Sequence, residues 1–402
     1  VTTRGEIEAD LIGGALSASN NAQGMRVRVF AGAGGIAANT MQLHVPNYAV
    51  TAAGTETDGP AHKTGGHIEI DGVAYPFAFG GAPLGDVPAG AADFGSDTLT
   101  HPEVSEGAEC WVYLYREFPV GVGHVYVFGT APTPAITGEG SFNGAAGTVA
   151  NRIGTPGVLA ASGGWAASSF RINYPFAIIG RQVTKDRAFV VVGASLEKYQ
   201  NDTWGDGANG AGGYVRRGLN PASGKKYAYI SLARAAESSG QFLSGSAKRR
   251  EWLKYGNTGL NGYGGNDFSF NTAVATTIAN ISTIKGHMTD AGIEDFIYSR
   301  MAAKTNSTDS WATVENQSIR SGAGLTLINY RSQVDAAVQN QGWRLFSGAT
   351  VADEDAANPG KWKANGTAFY AGPDGIHRSP LFHGNAGVAL HDFIINSSEL
   401  NE

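Results

Sequence analysis

Arg187-Ala188-Phe189-Val190-Val191-Val192-Gly193-Ala194-Ser195-Leu196 is the stretch whose reading decides the fold. Its run of four large apolar residues, three of them β-branched, suits a strand buried on both faces, as in a parallel sheet. Gly193 and Ala194 then permit a tight turn, which places the Ser195 hydroxyl at the carboxyl end of a strand, where open α/β sheets keep their ligands. A following backbone N–H can face an incoming carbonyl oxygen. Ser195 is either a nucleophile or the N-cap of the next helix, and the residues downstream have to choose.

Downstream, strand and helix patterns alternate. Lys226–Leu232, Thr258–Gly264, Glu294–Ser299, Trp343–Phe346 and Thr367–Tyr370 read as strands. Ser246–Tyr255, Asn271–Ala291, Tyr330–Gln341 and about Asn385–Ile395 read as helices; in the second, Val274, Ile278, Ile281, Ile284 and Met288 recur at spacings of three and four. Such alternation predicts a parallel sheet covered on both faces.

Upstream, the period is two. Met25–Phe30, His67–Ile70, Trp111–Arg116 and His124–Phe128 are short alternating runs cut by Gly, Pro, Asn and Asp, and Asp71-Gly72 offers a hairpin turn. The expectation is an antiparallel β-sandwich or jelly roll over 1–175, an accessory unit suited to glycan binding, followed by an α/β unit over 176–402. Gly32–Ala37 superficially matches a dinucleotide fingerprint, but no long amphipathic helix follows before Pro46, so a glycine-rich turn is expected. The Gly-, Ala- and Ser-rich stretch 138–164 reads as a linker or as crossing loops.

Composition narrows the function. The 402 residues are enough for two or three domains and a large core. The formal charge of −6 comes without a basic stripe, which argues against a nucleic-acid partner. Cys110 is the single cysteine, so neither an internal disulfide nor a cysteine zinc site is available. No apolar run approaches the roughly 20 residues of a membrane span. His383 and His391 show no metal-type spacing, and no metal or other cofactor is expected. Asp353-Glu354-Asp355 reads as a solvated loop in preference to a calcium site.

Polar clusters stand where the predicted strands give out: Ser231–Ser238, Tyr263–Asp267 and Gly372–His377. Acyl transfer by serine needs a base, a group to orient that base, and donors for the oxyanion. His377 can be the base, Asp374 its orienter, and Asn266 with the backbone N–H groups of Ser195 and Ala236 the oxyanion donors. Asn266 and Asp267 alone would suit an Asx turn. Together with Ser195 and His377 they suit catalysis better.

These clusters, in this order, resemble the four blocks of the SGNH (GDSL-type) hydrolases over roughly residues 185–395. Gly193-Ala194-Ser195-Leu196 resembles the first block, Gly264-Gly265-Asn266-Asp267 the Gly-x-Asn-Asp block, and Asp374-Gly375-Ile376-His377 the Asp-x-x-His block. The resemblance implies a flavodoxin-like α/β/α fold, nucleophile Ser195, base His377, orienter Asp374, and an oxyanion hole from Ser195, Ala236 and Asn266. Two positions depart from the family pattern: Ala194 replaces an aspartate, and Ala236 replaces a glycine, with Gly240 a weaker alternative. The glycine-rich loop 204–214 is expected to border a substrate groove, with Trp204 or Tyr214 stacking on a sugar.

The function expected is a serine esterase removing a small acyl group, acetyl first, from a carbohydrate or small-molecule ester through an acyl-enzyme. The alternatives are a lipase or thioesterase of the same fold, and a non-catalytic glycan-binding or phage structural protein. The setting expected is extracellular or periplasmic, bacterial or phage-associated.

Overall fold

The computed structural model describes residues 10–12, 21–51, 54–121, 124–126, 138–144, 152–157, 176–202 and 212–397. The valine-rich stretch is β1 (Ala188–Val192), paired in parallel on one side with β2 (Ala228–Ser231) and on the other with β3 (Thr258–Asn261). Beyond β3 lie β4 (Asp295–Ser299) and β5 (Arg344–Phe346), so the sheet is all parallel in the order β2-β1-β3-β4-β5. That is the flavodoxin-like order, with its topological switch point between β1 and β3.

Alternation along β1 explains why neither face tolerates a polar residue. Phe189 and Val191 face α1 (Gly213–Leu219) and the C-terminal helix, packing with Tyr214, Val215, Leu390 and Ile394. Val190 and Val192 face α2 (Ser239–Gly245) and two longer helices on the other side. Between them α3 (Gly265–Ser269) opens the loop after β3, and α4 (Val274–Asp290) and α5 (Leu327–Asn340) supply Ile281, Ile284, Met288, Val334 and Val338. The C-terminal helix is α6 (Pro380–Asn396), N-capped by Ser379 with Pro380 in its first turn. Full burial of each such aliphatic side chain is worth about 1.5–3 kcal/mol.

Among the described residues the first half is antiparallel β structure, as its period of two predicts. Ala22–Phe30, Glu109–Glu117 and His62–Ile70 are neighbours in a six-stranded antiparallel sheet. Gln42–Val45 is the middle of a three-stranded one. Met25, Val27, Ile68, Val112 and Leu114 of the first sheet share one core with Leu43, Val45 and Ile178 of the second. Gly32–Ala37 is a turn, with Gly34 and Gly35 at φ 81° and 61° and the Gly35 N–H bonded to the Gly32 carbonyl.

Three local expectations change. Ala177–Ile179, beyond the expected boundary at 175, pairs with Gln42–Val45 and so belongs to the first half's sheets. Gly140–Gly144, inside the stretch read as a linker, is an edge strand beside Ala22–Phe30. Thr367–Tyr370 is a turn with Phe369 at φ 60°, and not a strand.

The halves are joined by shared core and by charge. Tyr48, Val50 and Ala177 lie in the same apolar cluster as β1 and α4. The Glu56 carboxylate accepts the backbone N–H groups of Lys248 (2.7 Å) and Arg249 (2.8 Å). No helix among the described residues is long and apolar enough to cross a membrane.

Candidate active site

Ser195 follows β1 in a succession of turns, closed by Lys198 N–H to Ala194 O (3.0 Å) and Gln200 N–H to Ser195 O (2.8 Å). The described residues that follow it, 196–201, are turn, so Ser195 does not cap a helix there. Backbone bonds fasten this end of β1 to both neighbours: Arg234 N–H donates to Gly193 O (3.0 Å) and Gly262 N–H to Val192 O (2.9 Å). The hydroxyl meets a histidine 182 positions away. His377 Nε2 lies 2.8 Å from Ser195 Oγ, and His377 Nδ1 lies 2.6 Å from Asp374 Oδ2.

Asp374 is held in its turn by its other oxygen, which accepts the N–H groups of Ile376 and His377, both at 2.9 Å. Partial burial opposes the carboxylate's charge. The hydrogen bonds from the His377 side chain and from these two amides outweigh it and hold the carboxyl well below its usual range. A carboxylate so held keeps Nδ1–H as the donor and leaves Nε2 to accept the serine proton.

The two further oxyanion candidates stand on neighbouring loops. Ala236 is exposed, with φ 65°, as the third residue of a turn closed by Glu237 N–H to Arg234 O. That left-handed backbone is what glycine adopts freely and alanine resists. Gly240 lies inside α2, away from this turn. Asn266 opens α3 and donates its side-chain N–H to Glu237 O (3.0 Å), which orients the amide. Glu237 itself is fully buried, clamped by Arg249 and by the Tyr263 hydroxyl at 2.5 Å. Asp267 is structural: its carboxylate takes Ser239 Oγ–H (2.5 Å), Ser239 N–H and Gly264 N–H, tying α2 to the Asn266 loop.

Glu197 was not singled out by the sequence and is the main addition. Its buried carboxylate accepts Ala194 N–H at 2.9 Å and Tyr214 O–H at 2.7 Å, so the turn that lacks an aspartate at Ala194 is braced from two residues beyond Ser195. Gly193 and Gly262 give it room. A Cβ on either would lie 2.6 Å or less from Glu197 side-chain atoms. Burial pushes the Glu197 carboxyl up, against the hydrogen bonds from Tyr214 and Ala194.

Of the two aromatic residues expected at a groove, Trp204 lies outside the described residues. Tyr214 does not fit that role. It is fully buried, its hydroxyl shared between Glu197 and Ser299 Oγ (2.8 Å), and Arg378 stacks over its ring at 4.8 Å, so it supports the site from beneath. The acidic trio is also not a solvated loop: Asp353 is buried against Arg378, and Glu354 against Arg331. Among the described residues no group of three or more His, Cys, Asp and Glu side chains could hold a metal ion.

No protein-family model matches the chain, and comparison with curated proteins finds no match. Solved structures do match. A protein of the G-D-S-L family from Desulfitobacterium hafniense is 11% identical, covering 51% of this chain and 98% of its own, with a TM-score of 0.37. The lipase/acylhydrolase from Enterococcus faecalis is 14% identical over 54% of this chain and 100% of its own, TM-score 0.35. A family two carbohydrate esterase from Clostridium thermocellum, solved in complex with cellohexaose, is 11% identical over 95% of this chain and 93% of its own, TM-score 0.35. The second half of the chain has the flavodoxin-like α/β/α fold; the Ser195 and Asn266 blocks of its SGNH resemblance follow β1 and β3, and the Asp374–His377 turn meets Ser195 there.

Proposed function

We propose that the chain is a serine esterase that removes a small acyl group, acetyl first, from a carbohydrate. The observation that carries this reading is the unbroken relay Asp374–His377–Ser195, at 2.6 and 2.8 Å, at the switch-point edge of a parallel sheet. Ser195 Oγ attacks the ester carbonyl while His377 Nε2 takes its proton. The oxyanion accepts N–H bonds from Ser195, Ala236 and the Asn266 amide. The alcohol leaves with the proton returned by His377, and water then releases the acyl group by the same route reversed. The Ala236 methyl beside the oxyanion favours a small acyl group.

Within this reading the β half is an accessory unit that presents glycan to the site, and the protein works outside the cell or in the periplasm of a bacterium, or on a phage. The test is release of 4-nitrophenol from its acetate. Ser195→Ala and His377→Gln each lower the rate by at least about 10³-fold. Equal rates for wild type and Ser195→Ala would end the proposal. An acyl series from acetate to laurate separates a deacetylase, whose rate falls with chain length, from a lipase.

A further inference from the structure

Lys304 follows β4 on the loop that lies between the Asn266 loop and the turn carrying His377. It is only 4% exposed, yet its Nζ has no hydrogen-bond partner among the described residues. The two nearest carboxylates are committed elsewhere. Asp374 gives one oxygen to His377 and the other to two amides; Glu197 gives its oxygens to Ala194 N–H and Tyr214 O–H. Burial and the neighbouring Arg320 cation lower the Lys304 pKa to about 8, against the pull of Asp374 and Glu197. Nζ is not among the enclosed unpaired polar atoms, so this otherwise buried side chain brings its three donors to an opening.

The surroundings supply a second cation. Arg320 is half-buried, donates to Thr305 O (3.1 Å) and Asp374 O (3.1 Å), and its N–H bonds Lys304 O. Thr305 N–H donates to Gly375 O (3.0 Å), so the loop carrying Lys304 is sewn to the His377 turn. Across from it stands Gly265, next to Asn266. A Cβ there would fall 3.4 Å from Lys304 Cε and 3.8 Å from Nζ, in van der Waals contact, so the glycine keeps any longer side chain at that position off the end of the lysine.

We propose that Lys304 and Arg320 form an anion-binding subsite on the leaving-alcohol side of the triad, fitted to a carboxylate on the sugar that bears the ester. The side follows from chemistry: His377 returns its proton to the departing alcohol, and Arg320 and the loop that carries Lys304 are both fastened to the turn that holds His377. The substrate class is therefore an O-acylated acidic glycan, such as an acetylated uronate. This inference rests on the esterase reading.

The experiment compares acetate release from an O-acetylated uronic acid glycoside and from the same compound with its carboxylate reduced to the alcohol. Wild type prefers the acidic compound in kcat/KM by about tenfold or more, and the preference shrinks as salt rises. In Lys304→Met the preference falls at least about fivefold, while Lys304→Arg, which keeps the charge, retains part of it. No preference in wild type, or an equal preference in wild type and Lys304→Met, overturns the subsite. Because the wild-type comparison needs no variant, a misfolded Lys304→Met cannot shelter the proposal. Ser195-dependent cleavage of 4-nitrophenyl acetate without a preference for the acidic compound overturns the subsite alone. Absence of any Ser195-dependent cleavage overturns both readings.

Discussion

Ala236 pays a backbone cost that its place in the site explains. Its φ is 65°, one residue before the Glu237 carbonyl that receives the Asn266 amide, and alanine adopts that region at about 1–2 kcal/mol above its right-handed form. Replacing it with glycine removes this strain but enlarges the conformational entropy of the unfolded chain by about 0.4–1 kcal/mol. Strain outweighs entropy, so Ala236→Gly should raise stability by up to about 1.6 kcal/mol, measured as a higher urea midpoint at unchanged slope; a lower midpoint would refute it. At Asn266 the side chain is held by one donor bond to Glu237 O, which leaves its other N–H for the oxyanion. Asn266→Ala should therefore lower kcat by about 10²- to 10³-fold. A loss confined to KM would remove Asn266 from the oxyanion hole.

The Ser195 turn is the element on which these residues depend, and Glu197 is its brace. Truncation to alanine leaves Ala194 N–H buried without its acceptor, at a cost of about 1–3 kcal/mol. Glu197→Ala should lower kcat more than it raises KM, by roughly 10-fold or more, and Glu197→Gln, which keeps an acceptor oxygen, should recover part of the loss. A purely structural brace would lower the melting temperature in both variants without this kcat-against-KM split. What was legible at this scale was local. β1 announced itself through consecutive β-branched residues, and the Asp374–His377 turn through a three-residue spacing. Glu197 was hidden because the groups that define it, Gly262 and Tyr214, come from separate elements. Tyr214 was misread for the same reason: its glycine-rich neighbourhood in sequence says nothing of the Arg378 and Ser299 that enclose it in space.

At the scale of the whole molecule the two halves share buried surface, which a boundary drawn from periodicity could not show. Ala177–Ile179 is apolar and short, and only its long-range pairing with Gln42–Val45 reveals its allegiance. Acid should act on both halves through buried histidines. In the first half His62 is stacked on Phe118 at 4.8 Å, and burial with the nearby Arg116 lowers its pKa to about 3. In the second, burial and Arg378 lower the His383 pKa to about 3; its Nδ1 accepts Tyr214 N–H (3.1 Å), so Nε2–H must donate to Gln200 O (3.0 Å) and the ring stays neutral. Both folded values lie below the unfolded value of about 6.5. The unfolded chain thus binds more protons than the folded one between those limits, and this contribution to stability, complete above pH 6.5, is lost as pH falls toward 3, by up to about 1.4 kcal/mol per unit for each histidine. Asp353, raised to about 6, and Glu197, also raised, act with the opposite sign on acidification, so the total slope alone would not identify the histidines. The difference between wild type and His62→Asn does. Asparagine can still donate to Pro60 O, as His62 Nδ1 does at 3.2 Å, but it does not titrate. From pH 7 to 4.5 the unfolding free energy of His62→Asn should therefore gain on that of wild type in urea titrations, with no relative change from pH 7 to 8. A gap that stays constant through the acid window would mean that His62 takes up its proton without leaving the fold.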